Sequence, residues 1–208
     1  MHVCVVIRAK SIAATTLHAM MNINMYAMHK GYHVDIHFVK DMSGLPKLIK
    51  TGERIVWFDY GTSIDEESIK KVCEPFEKDV KMIVCPAVKE GVDWDMFRKK
   101  TLAGTSEPAS QRGLTFDTSV GKKIADGLYE VTKSEARVWA MDSKPIDKKI
   151  RGNKVQLKLA TDTYESLFTQ LISLGIKVAA LSKARVVCQY THECPGNILE
   201  TPHVRLNK

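Results

Sequence analysis

The feature that most constrains this chain is an alternation of short β-prone runs with helical stretches through its first half. The first helix is predicted over about residues 12–30, ending at Gly31. Alternation of this kind predicts an α/β fold with a mainly parallel central sheet flanked by helices. Four runs rich in β-branched and aromatic residues are predicted to be strands: residues 3–7, 33–39, 54–58 and 81–85.

The 208 residues suit a single domain. No apolar run approaches the roughly 18 residues that a membrane-spanning helix needs, so no transmembrane segment is expected. The five cysteines are an odd number with no export signal before them. We therefore expect reduced thiols and a cytoplasmic location, which for a viral protein means the host cytoplasm.

The chain carries 31 Lys and Arg residues against 24 Asp and Glu residues, a net charge of +7. This excess favours a polyanionic partner such as a nucleic acid, an anionic surface or a phosphate-bearing substrate. Much of it lies in a basic run over residues 144–158. The run has no aromatic side chain on which bases could stack, so nucleic acid is an unlikely partner and a solvated face is the ordinary alternative.

Polar residues follow the predicted strands where ligands bind in parallel α/β sheets. Asp59 ends a buried run, where a carboxylate could hold Mg²⁺ or Mn²⁺ against substrate phosphates. On local pattern alone, the commoner role for such an aspartate is to cap a turn. Arg8 and Lys10 follow the first strand and could meet a nucleotide, or be solvated charges. Neighbouring strands would bring these residues together with Asp41 at one edge of the sheet.

Two other groups of potential metal ligands are weaker. His33, Asp35 and His37 share one face of a predicted strand, which is more often simply the polar side of an edge strand. The second group resembles a zinc cluster but matches no standard spacing: its members are Cys188, His192 and Cys194.

Two patterns belong to predicted helices. Asp93 and Asp95 flank Trp94, a set that could bind an acceptor sugar, although a helix start with acids in its first turn is the favoured interpretation. A stripe on the first helix is predicted to fill the core: it consists of Leu17, Met21, Met25 and Met28.

The segment Arg54-Ile-Val-Trp-Phe-Asp-Tyr-Gly61 resembles the strand-and-aspartate motif of family-2-like nucleotide-sugar glycosyltransferases of the GT-A fold. In those enzymes a D-x-D pair follows a hydrophobic strand and holds a divalent metal against the nucleotide diphosphate. Residues 3–11 resemble their first strand, and residues 161–168 resemble their acidic helix. His192 resembles a late histidine that completes the metal site in many members. Similar proteins are encoded by large DNA viruses and phages.

The resemblance implies a GT-A-like domain with a Rossmann-like nucleotide-binding half over about residues 1–100 and an acceptor-side half over about residues 101–208. It implies that Asp59 and His192 bind Mn²⁺ or Mg²⁺, and that Asp162 is the catalytic base, although Asp162 could instead cap its helix. The residues implied to contact the nucleotide-sugar are Arg8, Lys10, Ser11, Asp59, Tyr60 and Gly61.

Two positions depart from the family pattern. Gly61 stands where the second aspartate of the motif is expected, so that Asp59 would need help from His192, Asp65, water or phosphate. Thr161-Asp162 replaces the Glu-Asp pair.

The sequence thus predicts a metal-assisted glycosyltransferase that moves a sugar from a nucleotide-sugar, UDP-sugar favoured, to a hydroxyl of a glycan or protein. The alternative is a non-catalytic GT-A-like binding or virion-associated module, supported by the missing aspartate. A basic nucleic-acid-binding protein is a weaker alternative.

Overall fold

The computed structural model describes residues 1–77, 79–160 and 163–189. Its strands are β1 (His2–Val6), β2 (Asp35–Val39), β3 (Arg54–Phe58), β4 (Thr62–Ile64), β5 (Met82–Val84), β6 (Thr118–Ala125), β7 (Leu128–Ser134), β8 (Val138–Asp142), β9 (Val178–Leu181) and β10 (Val186–Cys188). Its helices are α1 (Ala14–Lys30), α2 (Leu45–Ile49), α3 (Glu66–Cys73), α4 (Trp94–Leu102), α5 (Ser143–Gly152) and α6 (Glu165–Ser173). Short 3-10 turns cover Met42–Gly44 and Ala109–Gln111.

The central sheet has eight strands in the order β2-β1-β3-β8-β5-β9-β7-β6 in the described part of the chain, and β4 pairs with β10 beside it. Strand β1 is parallel to β2 and β3, and β5 is parallel to β9. Strand β8 lies antiparallel between β3 and β5, and β7 is antiparallel to both of its neighbours. The predicted single α/β domain with a mainly parallel sheet is confirmed.

The sheet is buried on both faces. On one face Trp57 of β3 stacks on Trp139 of β8 with ring centroids 5.3 Å apart, beneath α2, α5 and α6. On the other face Val3 and Val5 of β1 pack with Ile23 of α1 and with α3. Burial on both faces explains why β1, β3 and β5 appear in the sequence as unbroken apolar runs.

The stripe predicted to fill the core from α1 is exposed, so that prediction is wrong. Met21, Met25 and Met28 are 55%, 58% and 72% exposed, and Leu17 is also exposed. The helix instead buries a face whose mostly small side chains allow it to pack close to the sheet, because bulky ones would hold the backbone away. These residues are Thr16, Ala19, Ile23 and Ala27.

Strand β2 alternates between exposed and partly covered residues, but the exposed face is the apolar one, whereas the polar face was expected to meet solvent. Its apolar residues Ile36 and Phe38 are exposed, whereas Asp35 and His37 are partly covered. Strand β2 lies at the edge of the described sheet and pairs with β1, and its Asp35 and His37 side chains face His2 of β1. None of the helices in the described residues is long and apolar enough to cross a membrane.

Candidate functional site

Asp59 follows β3 and is 7% exposed. Its Oδ1 accepts a hydrogen bond from the Tyr60 main-chain N–H at 2.7 Å, and its Oδ2 accepts one from Nε of Arg137 at 2.7 Å. A second guanidinium nitrogen, Nη2 of Arg137, donates to the Tyr60 carbonyl oxygen at 2.6 Å. The guanidinium therefore clamps both the carboxylate and the main chain that follows it.

The antiparallel insertion of β8 puts Arg137 in this position. Phe58 pairs with Val138, and the Asp59 N–H donates to the Arg137 carbonyl oxygen at 2.9 Å, so the two residues flank the same end of the strand pair. Burial by itself would lower the pKa of Arg137, but the charge and hydrogen bond of Asp59 outweigh burial and raise it. The guanidinium is thus a fixed positive charge at this edge.

Two threonines hold the main chain of Asp59. The Thr62 hydroxyl donates to the Asp59 carbonyl oxygen at 2.6 Å, and the Thr62 N–H donates to Oγ1 of Thr16 at 3.1 Å. Thr16 lies in the first turns of α1, and both threonines are fully buried. These bonds tie the end of β3 to the start of α1, so that Asp59 is positioned by rigid elements.

The turn between β1 and α1 reverses the chain over Arg8–Ser11. Arg8 and Ser11 exchange main-chain hydrogen bonds of 3.1 and 2.9 Å, and the Ser11 hydroxyl donates to the Arg8 carbonyl oxygen at 2.8 Å. Ala9 and Lys10 have φ angles of 48° and 62°, a left-handed conformation that costs a non-glycine residue roughly 1–2 kcal/mol. Consecutive strained residues of this kind are concentrated at functional sites.

This turn meets the end of β3 through Arg8 and Tyr60. The Arg8 guanidinium carbon lies 5.3 Å from the centroid of the Tyr60 ring, within the range of a cation–π contact. The structure therefore brings Arg8, Tyr60 and Asp59 together, as expected for adjacent parallel strands. Asp41, after β2, instead accepts a hydrogen bond from the Ser43 N–H at 2.7 Å. The Ser43 hydroxyl, followed by this N–H, lowers the pKa of the Asp41 carboxyl group.

The structure explains why glycine stands at the third position of the motif. Gly61 has a φ of 73°, and a Cβ placed there would lie 3.1 Å from Cβ and 3.2 Å from the carbonyl oxygen of Gln189. Its own carbonyl oxygen accepts the Gln189 N–H at 2.6 Å. A side chain at this position would meet both backbone strain and a crowded neighbour, so a second motif carboxylate does not fit here without rearrangement.

Tyr164 belongs to the same cluster, although the sequence pattern gave it no functional role. Its hydroxyl oxygen accepts a hydrogen bond from Nε1 of Trp57 at 3.1 Å, and the two rings meet edge to face. Burial, followed by the negative charge of Asp59, raises the pKa of the Tyr164 hydroxyl. The phenol therefore stays protonated beside Asp59 and Arg137 at ordinary pH.

Asp117 is a second buried acid that the sequence did not single out. Its Oδ1 accepts hydrogen bonds from the Ala87 N–H at 3.1 Å and the Thr118 hydroxyl at 2.8 Å. Its Oδ2 is buried without a hydrogen-bond partner in the described residues. Burial raises the pKa of this carboxyl group. Asp117 directly precedes β6 and meets Ala87 from 30 positions away, so no local signal could have identified it.

Several predicted site residues have other contacts or cannot be located. Asp162 and His192 lie outside the described residues, as does Cys194 of the possible zinc cluster. The Asp65 carboxylate accepts hydrogen bonds from the Ser68 hydroxyl and, at 3.3 Å, from the Arg185 N–H. Asp93 begins α4 by accepting the Met96 N–H at 2.8 Å, which fits the interpretation as a helix start.

The described residues alone do not form a divalent-metal site at Asp59. They provide one carboxylate, and both of its oxygens already accept hydrogen bonds. The described part of the chain contains one group of three side chains that could bind a metal. It lies at the opposite edge of the sheet and consists of His2, Asp35 and Glu53. The predicted metal role of Asp59 therefore depends on His192 or on the substrate, and it remains a prediction.

The basic run forms α5, and two of its cations bind within the fold. The Lys149 ammonium donates to the carbonyl oxygens of Leu174 and Gly175 at 3.1 and 3.2 Å, where it neutralises the negative end of α6. Arg151 pairs with Asp147 one turn earlier at 2.8 Å. These contacts give part of the run a structural role.

No protein-family model matches the chain, and neither does any curated protein sequence. Among solved structures, A197 from STIV is 10% identical to this chain with a TM-score of 0.50, over 93% of this chain and 96% of that one. A 4-diphosphocytidyl-2C-methyl-D-erythritol synthase from Anaerococcus prevotii DSM 20548 is 12% identical with a TM-score of 0.43, over 98% and 97% of the two chains. The likeness to A197 extends over nearly the whole of both chains and shows a shared fold.

Proposed function

We propose that this protein is a glycosyltransferase that binds a nucleotide-sugar, a UDP-sugar by preference, where β1 and β3 end, and moves the sugar to a hydroxyl of a glycan or protein. One observation carries the proposal. A strained turn, an aromatic ring under a guanidinium and a buried Asp59–Arg137 ion pair meet at the carboxyl edge of an α/β sheet. This is the edge at which such sheets bind nucleotides.

The charges at this edge suit a diphosphate. Arg8, Lys10 and Arg137 supply three positive charges around the single carboxylate of Asp59. Guanidinium groups bind phosphate oxygens through paired hydrogen bonds, and Arg137 uses Nε and Nη2 in the contacts above, leaving Nη1 as a further donor. Tyr60 offers a ring face beside Arg8 on which a nucleobase can stack.

In the proposed reaction the bond between the sugar C1 and the diphosphate oxygen breaks, and a bond from C1 to the acceptor oxygen forms. The acceptor proton passes to a carboxylate, for which Asp162 is the proposed residue. The fixed positive charges stabilise the diphosphate as it leaves with the bonding electron pair. Asp59 and His192 would hold Mn²⁺ or Mg²⁺, which would supply further positive charge beside the diphosphate.

The first experiment measures the melting temperature of the protein with UDP, GDP, CMP or ADP, each with and without Mn²⁺. A ligand that binds the native state raises the melting temperature by mass action. We expect a rise with one nucleotide, UDP by preference. No rise with any of them would overturn the proposal.

The chain contains a matched control for the site. Arg54 pairs with Asp142 through Nε and Nη2 at 3.0 and 2.7 Å, joining the same two strands as Arg137 and Asp59 but at their other end. Arg54→Met and Arg137→Met each break one Arg–Asp pair between β3 and β8. We expect the nucleotide-induced rise to persist in Arg54→Met and to vanish in Arg137→Met. An equal nucleotide-induced rise in melting temperature in both variants would mean that the nucleotide binds away from Arg137.

A turnover assay distinguishes a glycosyltransferase from a non-catalytic binding module. Release of the nucleoside diphosphate from the nucleotide-sugar that binds is measured with and without simple sugar acceptors. Binding with no release under any acceptor would favour the binding module. We expect release, reduced by Asp59→Asn and by Asp162→Asn.

A further inference from the structure

A group of imidazoles and carboxylates lies at the amino edge of the sheet, away from Asp59. His2 begins β1, Asp35 begins β2 and Glu53 directly precedes β3. One potential ligand atom from each of these residues lies within 4.8 Å of the other two. His37 of β2 joins them, since its Nε2 lies 3.1 Å from Nδ1 of His2. Three separate segments thus converge on one point.

The hydrogen bonds of Thr51 determine the tautomer of His2. The Thr51 hydroxyl donates its proton to the Leu48 carbonyl oxygen at 2.7 Å, so its oxygen acts as the acceptor for Nε2 of His2, 3.1 Å away. His2 therefore carries its proton on Nε2 and a free electron pair on Nδ1. Metal-binding histidines are commonly oriented in this way by a bond to their other nitrogen.

The atoms that face this electron pair are spaced like the ligands of a single ion. Nδ1 of His2 lies 3.1 Å from Nε2 of His37 and 3.6 Å from Oδ2 of Asp35. Ligands on a tetrahedral zinc ion, each bound at about 2.0–2.1 Å, lie roughly 3.3 Å from one another. Asp35 uses its other oxygen, Oδ1, to bind Nε2 of His33 at 3.1 Å, which leaves Oδ2 for the ion.

We propose that His2, Asp35 and Glu53 bind a divalent transition-metal ion, with zinc as the best match, and that His37 is a nearby fourth ligand. The set comprises two imidazoles and two carboxylates, which are ligand types that zinc accepts. The negative charges of Asp35 and Glu53 balance the two positive charges of the ion. The amino group of Met1 donates a hydrogen bond to Oε2 of Glu53 at 2.7 Å, which holds this carboxylate beside the site.

This site is independent of the proposed nucleotide site. His2 pairs with Ile55, and Asp59 follows four residues later, which places the two sites about 13 Å apart along the strands. The ion would join β2, an edge strand, to β1. Beside it lies a cleft of about 590 Å³ whose lining includes His33, Glu53 and Arg54, so that water or a small anion can reach an open coordination position.

The experiment uses the full chain without a polyhistidine tag, freed of metal by dialysis against a chelator. Zinc binding is measured by calorimetry, and cobalt binding by visible absorption. The variants are Asp35→Asn and His37→Gln. The matched control is His29→Gln, which changes an exposed histidine in the last turn of α1. A cooperative thermal unfolding transition, measured for each variant without metal, serves as the control that the variant folds.

We expect one equivalent of zinc with an affinity that falls at least tenfold in Asp35→Asn and in His37→Gln and is unchanged in His29→Gln. The cobalt spectrum should show four- or five-coordinate bands without a thiolate charge-transfer band. Unchanged zinc affinity in the two site variants would overturn the proposal, and so would a thiolate band, which would assign the ion to cysteines. If one variant fails to fold, the other decides. Neither outcome depends on nucleotide binding.

Discussion

Breaking the Asp59–Arg137 pair gives the sharpest test of the candidate site. Arg137→Met keeps much of the side-chain volume but removes the donors to Oδ2 of Asp59 and to the Tyr60 carbonyl oxygen. Hydrogen bonds to charged groups are worth about 1.5–3 kcal/mol each. The Asp59 and Arg137 side chains are 11% and 25% exposed, so solvent compensates for little of the loss.

We therefore expect Arg137→Met to lower the free energy of unfolding by about 3 kcal/mol, towards the lower end of the range for breaking a buried pair. For a chain of this size, that loss lowers the melting temperature by roughly 6–12 °C. Asp59→Asn keeps an acceptor for the Tyr60 N–H but leaves the guanidinium uncompensated, so we expect a loss of about 2 kcal/mol.

The double variant distinguishes an ion pair from two unrelated contacts. With both charges removed, no buried charge stays uncompensated, and the total loss should be about 3 kcal/mol rather than the sum of about 5 kcal/mol. Urea unfolding of the four proteins measures this coupling of about 2 kcal/mol. A coupling below about 0.5 kcal/mol would refute the reasoning. The double variant should be about as stable as Arg137→Met and should still fail to bind nucleotide, because the phosphate-binding charge of Arg137 is absent.

Three further outcomes follow from the structure. Gly61→Ala should lower the free energy of unfolding by about 1–2 kcal/mol, measured by urea unfolding, because of its positive φ and the contact with Gln189. Burial raises the pKa of Asp117 in the folded protein, so Asp117 holds its proton more tightly there than in the unfolded chain. The free energy of unfolding should therefore fall as pH rises from the unfolded pKa through the folded one. Urea midpoints measured from about pH 4 to about pH 7 should show this fall, and Asp117→Asn should abolish the part due to Asp117. In a thiol-labelling assay of the native protein, Cys188 should react before the three buried thiols, whose pKa values burial raises to about 12. The three are Cys4, Cys73 and Cys85.

The strands buried on both faces could be predicted because burial leaves a local signature. Strands β1, β3 and β5 are apolar at every position after the first residue of β1 and β3. Helices α1 and α6 end near Gly31 and Gly175, both with positive φ. Strand β6 was missed because its residues are mostly exposed and polar, and it forms through pairing with β7. Helix α5 was missed because it is largely charged and buries Ser143 and Ile146 alone.

The candidate site was predictable only in part. Arg8 and Asp59 each follow a predicted strand, and parallel neighbouring strands end at the same edge of a sheet. The two residues could therefore be placed together from the sequence. Arg137 could not, because it meets Asp59 from 78 positions away through the antiparallel insertion of β8. Tyr164 reaches Trp57 from 107 positions away. No local pattern encodes such contacts, since they depend on the order of strands in the finished sheet.

The ion pair also bears on how a metal could take part. A guanidinium 2.7 Å from Oδ2 and a divalent cation on the same carboxylate would repel each other strongly at a site with little solvent. Metal binding at Asp59 is therefore expected to weaken its contact with Arg137, and the diphosphate is a group that can receive the guanidinium. Mn²⁺ and nucleotide should then bind cooperatively, each raising the affinity of the other by the same factor. If Arg137 instead stays on Asp59 in the complex, the melting-temperature rise with nucleotide will be the same with and without Mn²⁺. The charge that the family pattern assigns to a metal would then come from the guanidinium.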